Sequence, residues 1–505
     1  MKVVITGGFG FLGLHVCKRL LAIGELADAE DQSQEVSQII LFDQGTPKGI
    51  PEDPRVQLRV GDIADPAQGQ QLVDEDGMVI FHLASVMSGQ GRGCKFIFAS
   101  SGACFGERPP GPETDGTKLL PETSYGKLFL LLGLPTQLLS LQALPPFPTL
   151  TLPLRRNGHG LPNREPNSGL PAAFSDVLRE PLWKRDCILP LPPDLRHAVC
   201  GYRVLVRNLI HLANLPAAAF ESSDRCMNLP CLSVTLHDLH EALKRIVDPS
   251  KLGQVSYAPD EALAAKLRTF HHDMDAERAR RLGMVGDSSA AAIAADFAAE
   301  YVDEALLKPV MEIFEEPRHW RTFGNEYVNV YRVENAPGDT TLMHIHRVDS
   351  LYFFFSCSQV QGTKWKEEPK DDTLEDGEVR YGDHGNCTLT HRIHNKCRPV
   401  MMCLDVEFVP FGADAAAGAA AGAAPAAKRA KTEVPGLKLI KERPACRVYT
   451  LEVAPGATAS VAVPFARTLL VVHRGARVQG LGVVGLVKPG DVFFREGPEE
   501  LKLDV

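Results

Sequence analysis

The chain has 505 residues, 44% hydrophobic and 23% charged, an ordinary globular balance with room for roughly two to four domains. Its 63 acidic and 54 basic side chains give a net charge of -9, without the basic footprint that a nucleic-acid partner requires. The 12 cysteines are scattered with no C-x-x-C pair, so disulfides and a zinc knuckle are not expected, and a reducing cytoplasm is.

A strand is predicted from the second residue, through Val3, Val4 and Ile5, which leaves no room for a targeting segment before it. TGGFGFLG follows, with Gly7, Gly10 and Gly13 at the spacing of a phosphate-cradling loop and Phe11 beside them. Leu12, Val16 and Leu20 then recur on one face of a helix. Glycine is needed here because the backbone must turn sharply and approach a pyrophosphate, which rests on the helix N-terminus. A second strand, IILFD, ends in Asp43. A carboxylate at that point accepts a ribose 2′-hydroxyl and repels a 2′-phosphate, which favours NAD over NADP. Asp62 and Ile63, in GDI, are placed at the adenine, and Leu83 and Ala84, in FHLAS, close to the cofactor. His82 reads as a core histidine with a satisfied partner.

Short β-rich runs alternate with helical patterns to about residue 305, the mark of a parallel α/β sheet. One uncharged run, 128–154, is interrupted by prolines and glutamines and does not suit a membrane helix. Residues 310–411 read as all-β. Residues 412–436 form an Ala/Gly/Pro-rich linker whose KRAK cluster reads as a solubilising patch, and 437–505 return to short strands. VYRVENAPGDTT, starting at 330, and VYTLEVAPGATA, starting at 448, form an internal repeat and suggest a two-lobed β unit.

TGGFGFLG, GDIAD, HLASV, FIFASSGACFG and SYG together resemble the extended short-chain dehydrogenase/reductase family, of NAD-dependent epimerase/dehydratase type and its D-erythronate dehydrogenase-like branch. LREPLW, LPLPPDLR and DAERARRLG extend the resemblance over residues 1 to about 305. It implies a Rossmann-type doubly wound parallel sheet with a small substrate lobe, and hydride transfer between NAD and a secondary alcohol on a small sugar acid or related hydroxy acid. Carried over by motif, Tyr125 is the general base and Ser101 steadies the substrate oxygen, with Ser100 as its neighbour. Arg196 and Asn167 are the substrate contacts. The family implies a homodimer through the helix that carries Tyr and Lys.

Two segments depart from this pattern. Between Ser85 and Cys94 only VMSGQGRG stands where the family has a helix. After Tyr125 the lysine expected four residues on is Phe129, and 127–166 bear six prolines between 135 and 162 instead of a helix and strand. The departures read either as a coding segment skipped and a non-coding one translated, or as a catalytically crippled variant.

The β region contains G-x5-H-x-H, Gly338 to His346, and H-x3-N, His391 to Asn395. Residues i and i+2 of a strand share a face, which suits two ligands on one metal. These pieces resemble the two motifs of the cupin superfamily, which implies a double barrel with a divalent metal on His344, His346 and His391. The family's acidic ligand falls on Ser350, so a metal-free barrel is the other expectation. The combined expectation is an NAD-dependent dehydrogenase fused to a cupin-like double barrel. The alternatives are an NAD-retaining epimerase or isomerase, and a non-catalytic protein that binds a ligand through the barrel. A small molecule is the expected partner, with no nucleic acid and no membrane.

Overall fold

Lys2–Thr6 (β1) is buried along its whole length, as a strand covered on both faces must be. In the computed structural model its side chains alternate between two cores. Val3 and Ile5 join Val16 and Leu20 of the helix Phe11–Ile23 (α1) and Leu205 and Leu209 of the helix Tyr202–Asn214. Val4 faces the other way, against Ile40, Phe42, Ile63 and Leu72. Each fully buried Val, Leu or Ile contributes about 1.5–3 kcal/mol, so this alternation fixes the register of the strand.

The structure describes residues 1–28, 30–72, 78–83, 95–99, 139–141, 172–220, 227–268, 272–409, 436–443, 446–480 and 483–504. They fall into two compact units, Met1–Trp320 with Ala336–His344, and Arg321–Asn335 with Ile345–Val505. The first unit therefore takes in chain beyond residue 305, where the sequence pattern of the dehydrogenase ends.

Its main sheet adds Gln38–Asp43 (β2), Val56–Val60 (β3), Val79–His82 (β4), Lys95–Ala99 (β5) and Leu139–Leu141 (β6) to β1. The order is β3-β2-β1-β4-β5-β6, and every pairing is parallel. This is the doubly wound order that binds dinucleotides, with the cleft where the strand order reverses beside β1. Pro66–Leu72 (α2) packs on the face opposite α1. Leu139–Leu141 come from a stretch that departs from the family sequence, yet they pair in parallel with Ile97–Ala99 as the sixth strand.

A second core in the same unit gathers the helices Ala172–Leu182, Leu236–Ile246 and Ala290–Ala298 around Phe174, Leu239, Leu243 and Phe297. Leu236–Ile246 starts at a capping box, in which Thr235 and Asp238 satisfy each other's backbone N–H groups. The lobe carries two short strand pairs, Arg196–Val199 antiparallel to Leu232–Thr235 and Cys187–Leu189 parallel to Val255–Tyr257. Among the described residues no helix is long and apolar enough to cross a membrane.

The second unit is almost entirely β. Val328–Asn335 (β7), Met401–Phe408 (β14), Ser350–Phe354 (β9) and Val379–Gly382 (β12) pair antiparallel in that order. Leu389–Asn395 (β13), Ser358–Lys364 (β10) and Lys370–Leu374 (β11) form another sheet, with Ile345 and His346, from the strand His344–His346 (β8), beside β13. Further along the chain, Thr458–Val463, Glu499–Asp504, Ala476–Gly480 and Val483–Val487 make a four-stranded sheet, and Arg467–Val471 pairs with Val492–Glu496. Val448 of this last lobe packs with Val328, Val330, Leu404 and Val406.

The sequence repeat has a structural counterpart. Gly338 and Gly456 both take φ 75°. The N–H after each closes the same turn, Asp339 on the Ala336 carbonyl and Ala457 on the Ala454 carbonyl, both at 3.0 Å. Glycine is the residue that adopts this left-handed conformation without strain.

Candidate functional site

The loop between β1 and α1 is shaped by glycine. Gly7 has φ 71°, and the Gly10 N–H returns to the Gly7 carbonyl at 3.1 Å. A Cβ on Gly13 would lie 2.4 Å from the Gly7 carbonyl oxygen, and one on Gly8 would lie 2.7 Å from the Ile5 carbonyl oxygen. Helix α1 starts at Gly10 with no capping side chain and no acidic residue in its first turn. Its first N–H groups and the positive end of its dipole are thus left for an anion. Phe11, the first helical residue, packs edge-on against Tyr202 at 5.2 Å and His15 at 4.6 Å, which holds the helix start in place.

Asp43 ends β2 and faces this loop. Its Oδ2 accepts the Phe9 N–H at 3.1 Å and its Oδ1 accepts the Gly45 N–H at 3.1 Å. Each oxygen keeps a lone pair for a ribose hydroxyl. Asp62 is exposed, and its Oδ1 accepts from Gln44 Nε2 at 2.7 Å and from the Ala64 N–H at 2.9 Å. The Ile63 side chain belongs to the core with Phe42 and Leu72, so only its backbone can face an adenine. The Leu83 N–H continues the β1 pairing, to the Thr6 carbonyl at 3.0 Å. Next to it, Thr6 Oγ1 lies 2.6 Å from His82 Nδ1, and burial lowers the His82 pKa to about 4. His82 is thus a neutral core histidine, as read from the sequence.

Arg196 lies in the small lobe. Its guanidinium donates to the Ser233 carbonyl at 2.7 Å and lies 3.9 Å from Asp238 Oδ2. The side chain is 45% exposed, open to an anion. Ala84, Ser101, Tyr125 and Asn167, together with the 412–435 linker, lie outside the described residues.

Of the three histidines expected on a metal, the second unit brings two together. His346 Nε2 and His391 Nε2 are 3.1 Å apart. His344 belongs to the first unit. There its Nδ1 lies 2.8 Å from the Leu342 carbonyl and its ring 4.5 Å from that of His319, which bonds Glu316 at 2.7 Å. Ser350 and Asp349 supply no ligand beside His346. Ser350 Oγ donates to the Val348 carbonyl at 3.0 Å, while Asp349 accepts from Gly385 N–H at 2.9 Å and from the Tyr381 hydroxyl.

The carboxylates beside His346 come instead from β14. His346 Nδ1 lies 3.3 Å from Asp405 Oδ2 and 4.0 Å from Glu407 Oε1. A third histidine, His384, shares a 2.9 Å hydrogen bond with the Tyr352 hydroxyl, and its ring is 5.6 Å from that of His346. Sequence reasoning missed these three residues. For Asp405 and Glu407 the available signal was LDVEF, a buried strand with acids at alternate positions.

No family model matches the chain. The D-erythronate dehydrogenase of Cupriavidus necator is 30% identical over 315 residues, which is 57% of this chain and 95% of that protein. The D-erythronate dehydrogenase of Haemophilus influenzae is 28% identical over 315 residues, covering 57% and 96% of the two chains. Among solved structures, the nucleoside-diphosphate-sugar epimerase from Agrobacterium tumefaciens is similar with a TM-score of 0.52 at 26% identity, over 61% of this chain and 96% of that one. With the glycine cradle and Asp43 in the places that a dinucleotide requires, the chain belongs, through its N-terminal region, to the extended short-chain dehydrogenase/reductase family, on the D-erythronate dehydrogenase-like branch of its NAD-dependent epimerase/dehydratase type.

Proposed function

We propose that the N-terminal unit oxidises a secondary alcohol on a small hydroxy acid, with NAD as acceptor and D-erythronate as the first substrate to try. The observation that carries this reading is the Asp43 carboxylate set against the Gly7–Gly13 loop, where it favours NAD over NADP. The two D-erythronate dehydrogenases support the substrate class. Gly7, Gly10, Phe11 and Gly13 would hold the pyrophosphate and Asp43 the ribose. Bound there, NAD supplies a hydride acceptor. By its place in the family motif Tyr125 takes the hydroxyl proton, Ser101 steadies the oxygen, and Arg196 and Asn167 meet the carboxylate. With Phe129 where the family has lysine, the family's ammonium is missing from the place where it makes the tyrosine phenol a better base at neutral pH.

The similarity to a sugar-nucleotide epimerase favours a second reading, in which NAD stays bound and a sugar derivative is inverted. For the second unit we propose a cupin-like barrel that binds a divalent metal. The approach of His346 to His391 supports that reading. Incubating the full chain with NAD and D-erythronate separates the alternatives. NADH accumulation supports the dehydrogenase. Interconversion of a nucleotide sugar without NADH supports the epimerase. A ligand-induced rise in melting temperature with no turnover leaves a binding protein.

A further inference from the structure

Asp405 is a fully buried carboxylate for which the dehydrogenase chemistry has no use. Among the described residues, neither of its oxygens has a partner beyond the 3.3 Å approach of His346 Nδ1. Leaving a buried carboxylate without a donor costs several kcal/mol unless a cation compensates it. The strand explains how it came to be there. Along β14, Leu404 and Val406 point into an apolar core with Val328, Val330 and Leu351. Asp405 and Glu407 alternate with them and face the other side. Pairing sets Asp405 between Tyr331 and Tyr352, and Glu407 between Asn329 and Ser350. Both acids meet one face of His346, whose Nδ1 lies within 4.8 Å of an oxygen of each, as those two oxygens do of one another. The other ring nitrogen, Nε2, is engaged with His391 at 3.1 Å.

We infer that Nδ1 of His346 and the carboxylates of Asp405 and Glu407 form the seat of a divalent first-row cation, with His391 outside the seat as the group that orients the imidazole. The inference rests on the proposal that the second unit binds a metal, but it replaces a histidine-only ligand set. One imidazole cannot direct both ring nitrogens at the same ion. A cation on Nδ1 leaves the proton on Nε2, which then donates to His391. One imidazole and two carboxylates, with positions left for water, suit Mn²⁺ or Fe²⁺ better than a thiolate-seeking ion. Tyr352, edge-on to His346 at 5.8 Å and hydrogen-bonded to His384, forms one wall.

The test uses the full chain, stripped with a chelator and titrated with Mn²⁺ alone, with free Mn²⁺ read by electron paramagnetic resonance and total metal by plasma mass spectrometry. One Mn²⁺ per chain is expected. Asp405→Asn and the less buried Glu407→Gln should each abolish measurable binding while the variants melt as cooperatively as the apo parent. His391→Gln, which removes only the orienting partner, should weaken binding by about 10- to 100-fold. If both carboxylate variants bind like the parent and His391→Gln does not bind, a histidine-only site exists and this donor set is wrong. If the parent binds no Mn²⁺, Fe²⁺ or Zn²⁺, metal binding by the unit fails altogether, and Asp405 and His346 are a structural ion pair.

Discussion

The carboxylate of Asp43 accepts the backbone N–H of Phe9 at 3.1 Å, which ties the end of the second strand to the glycine loop that follows the first. The same group both shapes the loop and presents lone pairs to a ribose. Asp43→Ala should therefore raise the dissociation constant for NAD by about 10- to 100-fold, the worth of one or two charge-assisted hydrogen bonds. NADP, which the carboxylate repels, should bind no worse than before. Calorimetric titration of both nucleotides checks this, and an unchanged NAD affinity would remove Asp43 from the site.

His82 gives a pH dependence of defined sign. Burial holds its pKa at about 4, against an ordinary value of 6.5. The unfolded chain takes up a proton near 6.5 and the folded chain does not. The contribution of His82 is thus fully present above pH 6.5 and is lost as pH falls through about 4, by about 3 kcal/mol in all. Urea unfolding of the parent and His82→Gln at pH 7 and pH 5 should show a smaller loss on acidification in the variant. Equal losses would mean that other groups set the acid sensitivity.

The paired turns of the second half offer a test of the repeat. Gly338 and Gly456 sit at φ 75°, and apart from their chain neighbours no atom of the described residues lies within 4 Å of where a methyl group would stand, so alanine would meet backbone strain and no clash. Each Gly→Ala change should cost about 1 kcal/mol of stability, measured by denaturant unfolding, and the two costs should be similar. A cost at one site alone would mean that the two turns do different work.

How much of this was legible in the sequence depends on how local the signal is. The strand, Gly7–Gly13, α1 and Asp43 lie within one stretch of chain, and the spacing of glycines and apolar residues specifies them. Leu139–Leu141 did not announce a strand, because an apolar, proline-rich run has no period that separates strand from loop, and the open edge beside β5 decides it. The strand His344–His346 was legible from its alternation, with both histidines buried and Ile345 between them less so. The carboxylates that approach His346 lie on a strand about sixty residues later and share no motif with it.

The absent lysine makes a further kinetic prediction. Phe129→Lys would put an ammonium four residues after Tyr125 in the sequence, where the family has it. It should raise turnover at pH 7 by about 100-fold or more, the usual scale of a well-matched general base. The parent rate should climb as pH approaches ~10, where the phenol ionises unaided. A parent that is already fast and pH-independent near neutrality would place the base elsewhere.

Oxidation of a hydroxy acid by the N-terminal unit with NAD is tested most directly by absorbance at 340 nm. The purified full chain, given NAD and D-erythronate, should form NADH in step with loss of substrate, slowly at pH 7 and faster at higher pH, with Tyr125→Phe inactive. An absence of NADH at every pH, with parent and Phe129→Lys alike and across a panel of small hydroxy acids, would contradict it.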